Sequence, residues 1–198
     1  MKTRVANLPV LYFGTPVALV SSVNPDGTTN LSPISSYWAL SDTLVLGLST
    51  TGQCFGNLSR CPEIVLNLPD ASLWANVESI AATTGAEIVP DDKKRMGYRF
   101  EHNKFQRAGL TAKASESVIA SRVAECPIQI EARLTRMHAI GSDEDEMVAA
   151  ECKATRVHVH ADLLTSAGRV ELDRWRPLYY VFRHYYTLGA YLGKTFRA

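Results

Sequence analysis

The chain has 198 residues, 46% of them hydrophobic and 21% charged, with 21 Lys and Arg against 20 Asp and Glu. That balance excludes the low-hydrophobicity, high-charge composition of a disordered chain. A formal charge of +1 without any Lys/Arg stripe argues against a nucleic-acid binder, which needs phosphate attraction. The length suits one domain over residues 1–198. Cys54, Cys61, Cys126 and Cys152 lie far apart with no C-x-x-C pair, as expected of reduced thiols. The N-terminal MKTRVANLPVLYF has no long apolar core or cleavage site, and no apolar run nears the ~18 residues of a spanning helix. A cytoplasmic protein is expected, without membrane or nucleic-acid partners.

In chain order, residues 16–23 (PVALVSSV) read as a strand running into Asn24-Pro25-Asp26-Gly27, where proline presets φ and glycine supplies a positive one. The polar return through residues 28–32 completes a hairpin. Residues 43–49 (TLVLGLS) and 63–68 (EIVLNL) are expected as core strands, the first of them buried on both faces. Between them, residues 52–60 space Phe55 and Leu58 as one face of a short helix, closed by Pro62. A second helix is predicted over 72–83 from Leu73, Val77 and Ile80, with Ser72 as its cap and Gly85 as its stop.

Residues 90–104 are charged and turn-rich, and read as a long surface connection. Residues 127–134 (PIQIEARL) alternate strictly between apolar and polar, which predicts one wet and one buried face. An acidic turn at 141–146 (GSDEDE) and a returning strand over 147–160 follow. From about residue 170 an aromatic-rich extension is expected to pack on a partner, or to anchor core or interface. Many strands and few helices without βα alternation indicate a mainly β chain, an antiparallel β-barrel with appended short helices. No G-x-G-x-x-G, P-loop or repeat is present, which argues against a Rossmann site.

Two segments have the residue types of a ligand cradle. Residues 30–37 (NLSPISSY) are dense in small hydroxyls that allow close approach to a flat ligand, although the same composition describes a polar loop. Residues 49–57 (STTGQCFGN) form a hydroxyl-rich loop entering a helix, a natural phosphate position, or equally a capped helix with nothing bound.

Taken in order, these pieces resemble the flavin reductase-like family of FMN-binding split barrels, from about residue 11 to 191. Asn30, Ser32, Pro33, Ser35 and Tyr37 match an Asn-x-Ser/Ala-Pro-x-Ser-x-Phe segment. Cys54 and Asn57 match a Thr-x-x-Asn element, ahead of Asn67-Leu68-Pro69. Phe105 with Ala108-Gly109-Leu110-Thr111, Glu125-Cys126-Pro127 with Glu131, and His138-Ala139-Ile140-Gly141 keep the family's order. The resemblance implies a homodimer binding FMN, with NADH or NADPH as electron source. It puts Asn30 in the cradle, and Ser32, Ser35, Ser36 and Tyr37 along the ring and ribityl chain. Ser49, Thr50, Thr51, Gln53, Cys54 and Asn57 would then surround the phosphate. Cys54 stands where the family usually has Thr, and Gln53 at a position that is often basic, so the phosphate would rest on neutral donors and the helix end.

Of the remaining residues, His158 and His160 are expected on the surface, and Asp143 to Glu146 as a solvated turn rather than a cation site. His138 reads as structural or close to the flavin edge. Tyr179, Tyr180, Tyr185 and Tyr186 serve either as stacking partners or as anchors. No catalytic pair and no metal site is expected. The reading is an FMN-dependent oxidoreductase of the flavin reductase type. The alternatives are an electron-transfer flavoprotein without nicotinamide activity, a pyridoxamine-phosphate oxidase type of split barrel, or an interaction domain without cofactor. The oxidase type usually offers several basic side chains to the phosphate, and residues 49–59 contain none.

Overall fold

A computed structural model describes residues 1–142 and 145–195. β1 (Phe13–Pro16) leads into β2 (Ala18–Val23), which turns back into β3 (Thr29–Ile34). The expected turn joins them: Gly27 sits at φ +84°, and the Asp26 carboxylate accepts from the Thr28 amide and hydroxyl. β4 (Tyr37–Leu40) and β5 (Thr43–Ser49) precede α1 (Gln53–Arg60) and β6 (Glu63–Leu68). α2 (Trp74–Ala81) and the short bridges β7 (Thr83–Thr84) and β8 (Arg99–Phe100) flank α3 (Asp91–Arg95). α4 (Lys104–Ala108), β9 (Ala112–Lys113) and β10 (Arg122–Val123) lead to the long strands β11 (Ile128–Ile140) and β12 (Met147–Val159). The final hairpin is β13 (Tyr179–Val181) and β14 (His184–Tyr186).

The main sheet runs β3-β2-β6-β11-β12-β5-β4, antiparallel at every step. Two register shifts in β11, between Glu131 and Ala132 and between Leu134 and Arg136, bend the central hairpin as bulges do, so that the sheet curls on itself. Ala18, Val20, Leu46, Ile64 and Leu66 fill the inside of the curl, with Leu58 of α1 closing it. On the other side Val17, Leu19 and Leu31 pack under α2 and α4 against Val77, Ile80 and Ala108. β2 is therefore buried on both faces along its whole length, Ser21 and Ser22 included. β5 differs from the expectation: Leu44, Leu46 and Leu48 are buried, while Thr43, Val45 and Gly47 are half-buried and Ser49 is exposed.

The alternation in β11 was expected to leave its polar face wet, and the structure reverses this. Gln129 and Glu131 are buried while Ile128 and Ile130 are half-buried, because the segment around residues 114–122 folds over the polar face, with Arg122 on Gln129 and residues 116 and 117 on Glu131. Fully buried Glu131 accepts from the Glu116 amide (2.9 Å), the Ser117 amide and hydroxyl (2.6 Å each) and His158 Nε2 (2.7 Å). Burial opposes its charge, but these bonds outweigh it and hold the carboxyl down to about 2. His158 is thus largely enclosed rather than on the surface, and His160 Nε2 bonds the Ala124 carbonyl at 2.8 Å. His138 pairs across the hairpin with Glu151 at 2.7 Å.

Other local expectations shift. The Asp70 carboxylate, not Ser72, accepts the Ser72 amide at the helical entry, and α2 ends at Ala81, four residues before Gly85. Residues 90–104 are not a plain connection, since they include α3, β8 and buried Lys104. Asp91 and Asp92 open α3 and Lys93, Lys94 and Arg95 close it, an order that suits the helix dipole. The C-terminal aromatic segment packs on its own N-terminus, where β1 pairs with β13. In the acidic turn Asp143 and Glu144 lie outside the described residues; Asp145 and Glu146 are exposed. All four cysteines are free, and no group of metal-ligating side chains converges among the described residues.

Candidate functional site

The loop from β5 into α1 has more donors than the protein uses. Gly52 caps α1 with no side-chain hydrogen bond, so the first-turn amides of this helix lack the Ser/Thr cap that the loop composition allowed for. Thr50 is held by its amide on the Glu146 carbonyl at 2.8 Å, and the Ser49 and Thr51 hydroxyls lie 2.9 Å apart. A cation completes the loop from a distance: Lys93 Nζ of α3 donates to the Thr51 carbonyl at 2.9 Å. Partial burial lowers the Lys93 pKa, against the opposing pull of Asp92 and Glu146. The pairing of β7 with β8 closes the loop that carries α3 and so delivers this lysine. A cation from the mixed-charge DDKKR run of α3 thus stands beside the loop that has Gln53 at its helix start.

A second lysine lies behind the cradle. Lys104, 2% exposed, donates to the Leu31 carbonyl at 2.9 Å, and burial lowers its pKa to about 8. Gly85 sits against Asn30 and Gln53; a Cβ there would meet Asn30 Oδ1 at 2.6 Å, so only glycine allows the two segments to approach.

Several residues of the expected cradle face inward. Asn57 is buried, with Nδ2 donating to Ser22 Oγ and Asn24 Oδ1 at 3.0 Å each, and Oδ1 accepting from Gln53 at 2.9 Å. Cys54 lies in the barrel core, and burial pushes its thiol up to about 12. Tyr37 packs on the same core, where burial and nearby Tyr179 raise its phenol. Asn30 donates to Ser32 at 3.0 Å, which keeps both side chains on β3.

Ser35, Ser36 and Ser49 line a cavity of about 720 Å³. α2 contributes Val77, Glu78 and Ala81 to it, four tyrosines (Tyr12, Tyr98, Tyr180 and Tyr185) form an aromatic part of the wall, and Arg183 also lines it. Tyr180 lies 5.7 Å from both Tyr12 and Tyr185, ring centre to ring centre, and Tyr185 donates to Glu78 at 2.9 Å. Tyr180 and Tyr185 are thus at the cavity, while Tyr179 and Tyr186 are not among its walls; His138 is also absent from them. Tyr12, Glu78, Tyr98 and Arg183 carried no sequence signal, because separate elements bring them together.

The flavin reductase like domain family matches residues 10–189, with the cradle, α3 and the tyrosine wall all inside that span. The chain belongs to this family. It is 39% identical over 189 residues to the uncharacterized protein YdfE of Bacillus subtilis, covering 96% of this chain and 91% of that one. Its fold is that of the flavoredoxin of Desulfovibrio vulgaris (TM-score 0.80, 20% identity, 100% and 99% of the two chains). The FMN-binding protein from Thermus thermophilus shares it too (TM-score 0.74, 14% identity, 98% and 100%). The architecture is the antiparallel split barrel expected, and membership supports a flavin-related oxidoreductase or electron-transfer role.

Proposed function

We propose that the cavity and the loop beside it hold one FMN, and that the protein is an NAD(P)H-dependent oxidoreductase of the flavin reductase type. The observation that carries this is the double position of Ser49, which lines the cavity and bonds within the anion loop, so that a ligand with a flat ring and a phosphate can span both. The donor set fits such a ligand. Thr51, the uncapped first turn of α1 and the Lys93 ammonium suit a phosphate, with Thr50 holding the loop through its amide and hydroxyl on the Glu146 carbonyl. Ser35 and Ser36 suit the polar edge of a ring, and the tyrosine wall suits its face.

A bound flavin supplies the redox chemistry, accepting a hydride or electrons at its ring. The protein's residues then bind, orient and exclude water, and no side chain need move a proton. Exposed Trp38 and Leu40 share one face of the edge strand β4. This apolar edge supports a homodimer, checked by light scattering of the purified protein. Four free thiols agree with a cytoplasmic setting. The reading is tested by titrating FMN and then mixing the complex with NADH or NADPH in a stopped-flow instrument. Bleaching of the flavin band within seconds is expected. Tight FMN binding without bleaching moves the assignment to an electron carrier, and absence of FMN binding removes it.

A further inference from the structure

The β13–β14 turn carries an unexplained strain. Val181 pairs with His184, so Phe182 and Arg183 form a two-residue loop, and both have positive φ, +44° and +70°. Such turns favour Asn-Gly, because a side chain in the left-handed region meets its own backbone. Phe182 has a packing reason to be there: its ring lies edge-on to Phe13 at 5.0 Å and 86°, and its amide bonds the Tyr12 carbonyl. Arg183 has none. It forms no hydrogen bond or ion pair among the described residues, yet it is the one cation among the residues lining the cavity. Glu78, the one carboxylate there, accepts from Tyr185 instead.

We propose that Arg183 is a specificity residue that binds the oxyanion of the second substrate, a planar molecule that shares the cavity with the flavin. This rests on the flavin reading above for the identity of the first ligand. Strain retained at a turn is accounted for when the residue it presents has a use, and a guanidinium offers a planar fork that matches carboxylate and phosphate oxygens. The volume of about 720 Å³ lies toward the upper part of the ~300–1,000 Å³ range of ligand sites, leaving room for a second ring. The oxyanion has two sources, an aromatic carboxylate or the pyrophosphate of a nicotinamide dinucleotide.

The experiment compares the full chain with Arg183→Gly, which suits the positive φ and keeps the turn, and with Arg183→Lys. FMN is titrated first, followed calorimetrically by benzoate, its neutral counterpart benzamide, and ADP-ribose. FMN affinity is expected to be the same in all three proteins. Benzoate or ADP-ribose, whichever matches the source, is expected to bind about tenfold or more weakly to Arg183→Gly, with Arg183→Lys between. Benzamide is expected to bind more weakly than benzoate and equally to all. The proposal is overturned if neither anion binds the wild type, if both ignore the substitution, or if FMN itself loses affinity in Arg183→Gly. Failure of the wild type to bind FMN defeats the flavin reading instead, and the heats of the probes still report on Arg183.

Discussion

Two kinds of polar cluster differ in how fully the protein satisfies them. Around Glu131, and likewise around Asn57, nearly every donor and acceptor direction is occupied by another protein group. In the β5–α1 loop the first-turn amides of α1 have no capping side chain, and Lys93 spends one donor on a carbonyl. A buried polar group must be paired to be tolerated, whereas a set with donors to spare at a cavity edge can pair with a ligand. The first kind of cluster holds the fold together; the second has capacity for binding.

The comparison breaks most readily at Glu131. Glu131→Ala strands two amides, the Ser117 hydroxyl and His158 in the interior and is expected to cost about 3–5 kcal/mol in urea unfolding, with FMN affinity of the folded protein unchanged. The carboxyl also sets an acid limit. With a folded pKa of about 2 against an ordinary 4.5, its contribution is complete above pH 4.5 and is lost as the pH falls through 2. Glu131→Gln is expected to flatten that part of the stability–pH curve.

Asn57→Ala comes next, at about 2 kcal/mol, read as a lower thermal midpoint, again with little change in FMN affinity. A large loss of FMN affinity there would erase the distinction between the clusters. Lys93→Ala is expected to do the reverse: FMN binding weakens about tenfold by fluorescence titration, and stability holds or rises as a partly buried ammonium disappears. Because burial lowers the Lys93 pKa, the charged form is lost at lower pH than in a free lysine, so wild-type FMN affinity is expected to fall as pH rises, and Lys93→Met to remove that slope. Thr51→Ala is the smallest test, a few-fold loss of FMN affinity without a change in midpoint.

Much of the fold was legible because it is local. The turn at 24–27 has proline and glycine where the geometry needs them, and the hydroxyl-rich loop enters its helix where the spacing of Phe55 and Leu58 predicts. Where the structure departs from the local pattern, long-range packing is the cause. Alternation in β11 reports that two faces differ, not which of them is covered, and the 114–122 segment covers the polar one. Asn57 and Cys54 match a family motif by type and order, yet which way each points depends on where α1 lies against β2.

By itself, the sequence determined the strand and turn pattern and the mainly antiparallel barrel, and marked two hydroxyl-rich segments as a candidate cradle, since these follow from short-range periodicity, turn chemistry and ordered motifs. Only the tertiary structure decided which of those residues face the cavity. It alone brought Lys93 to the loop from 42 positions away and set Tyr12, Tyr98, Tyr180 and Arg183 around one space. The physical reason is that a binding site is built from side chains distant in the chain, and a local pattern holds no record of how separate elements pack.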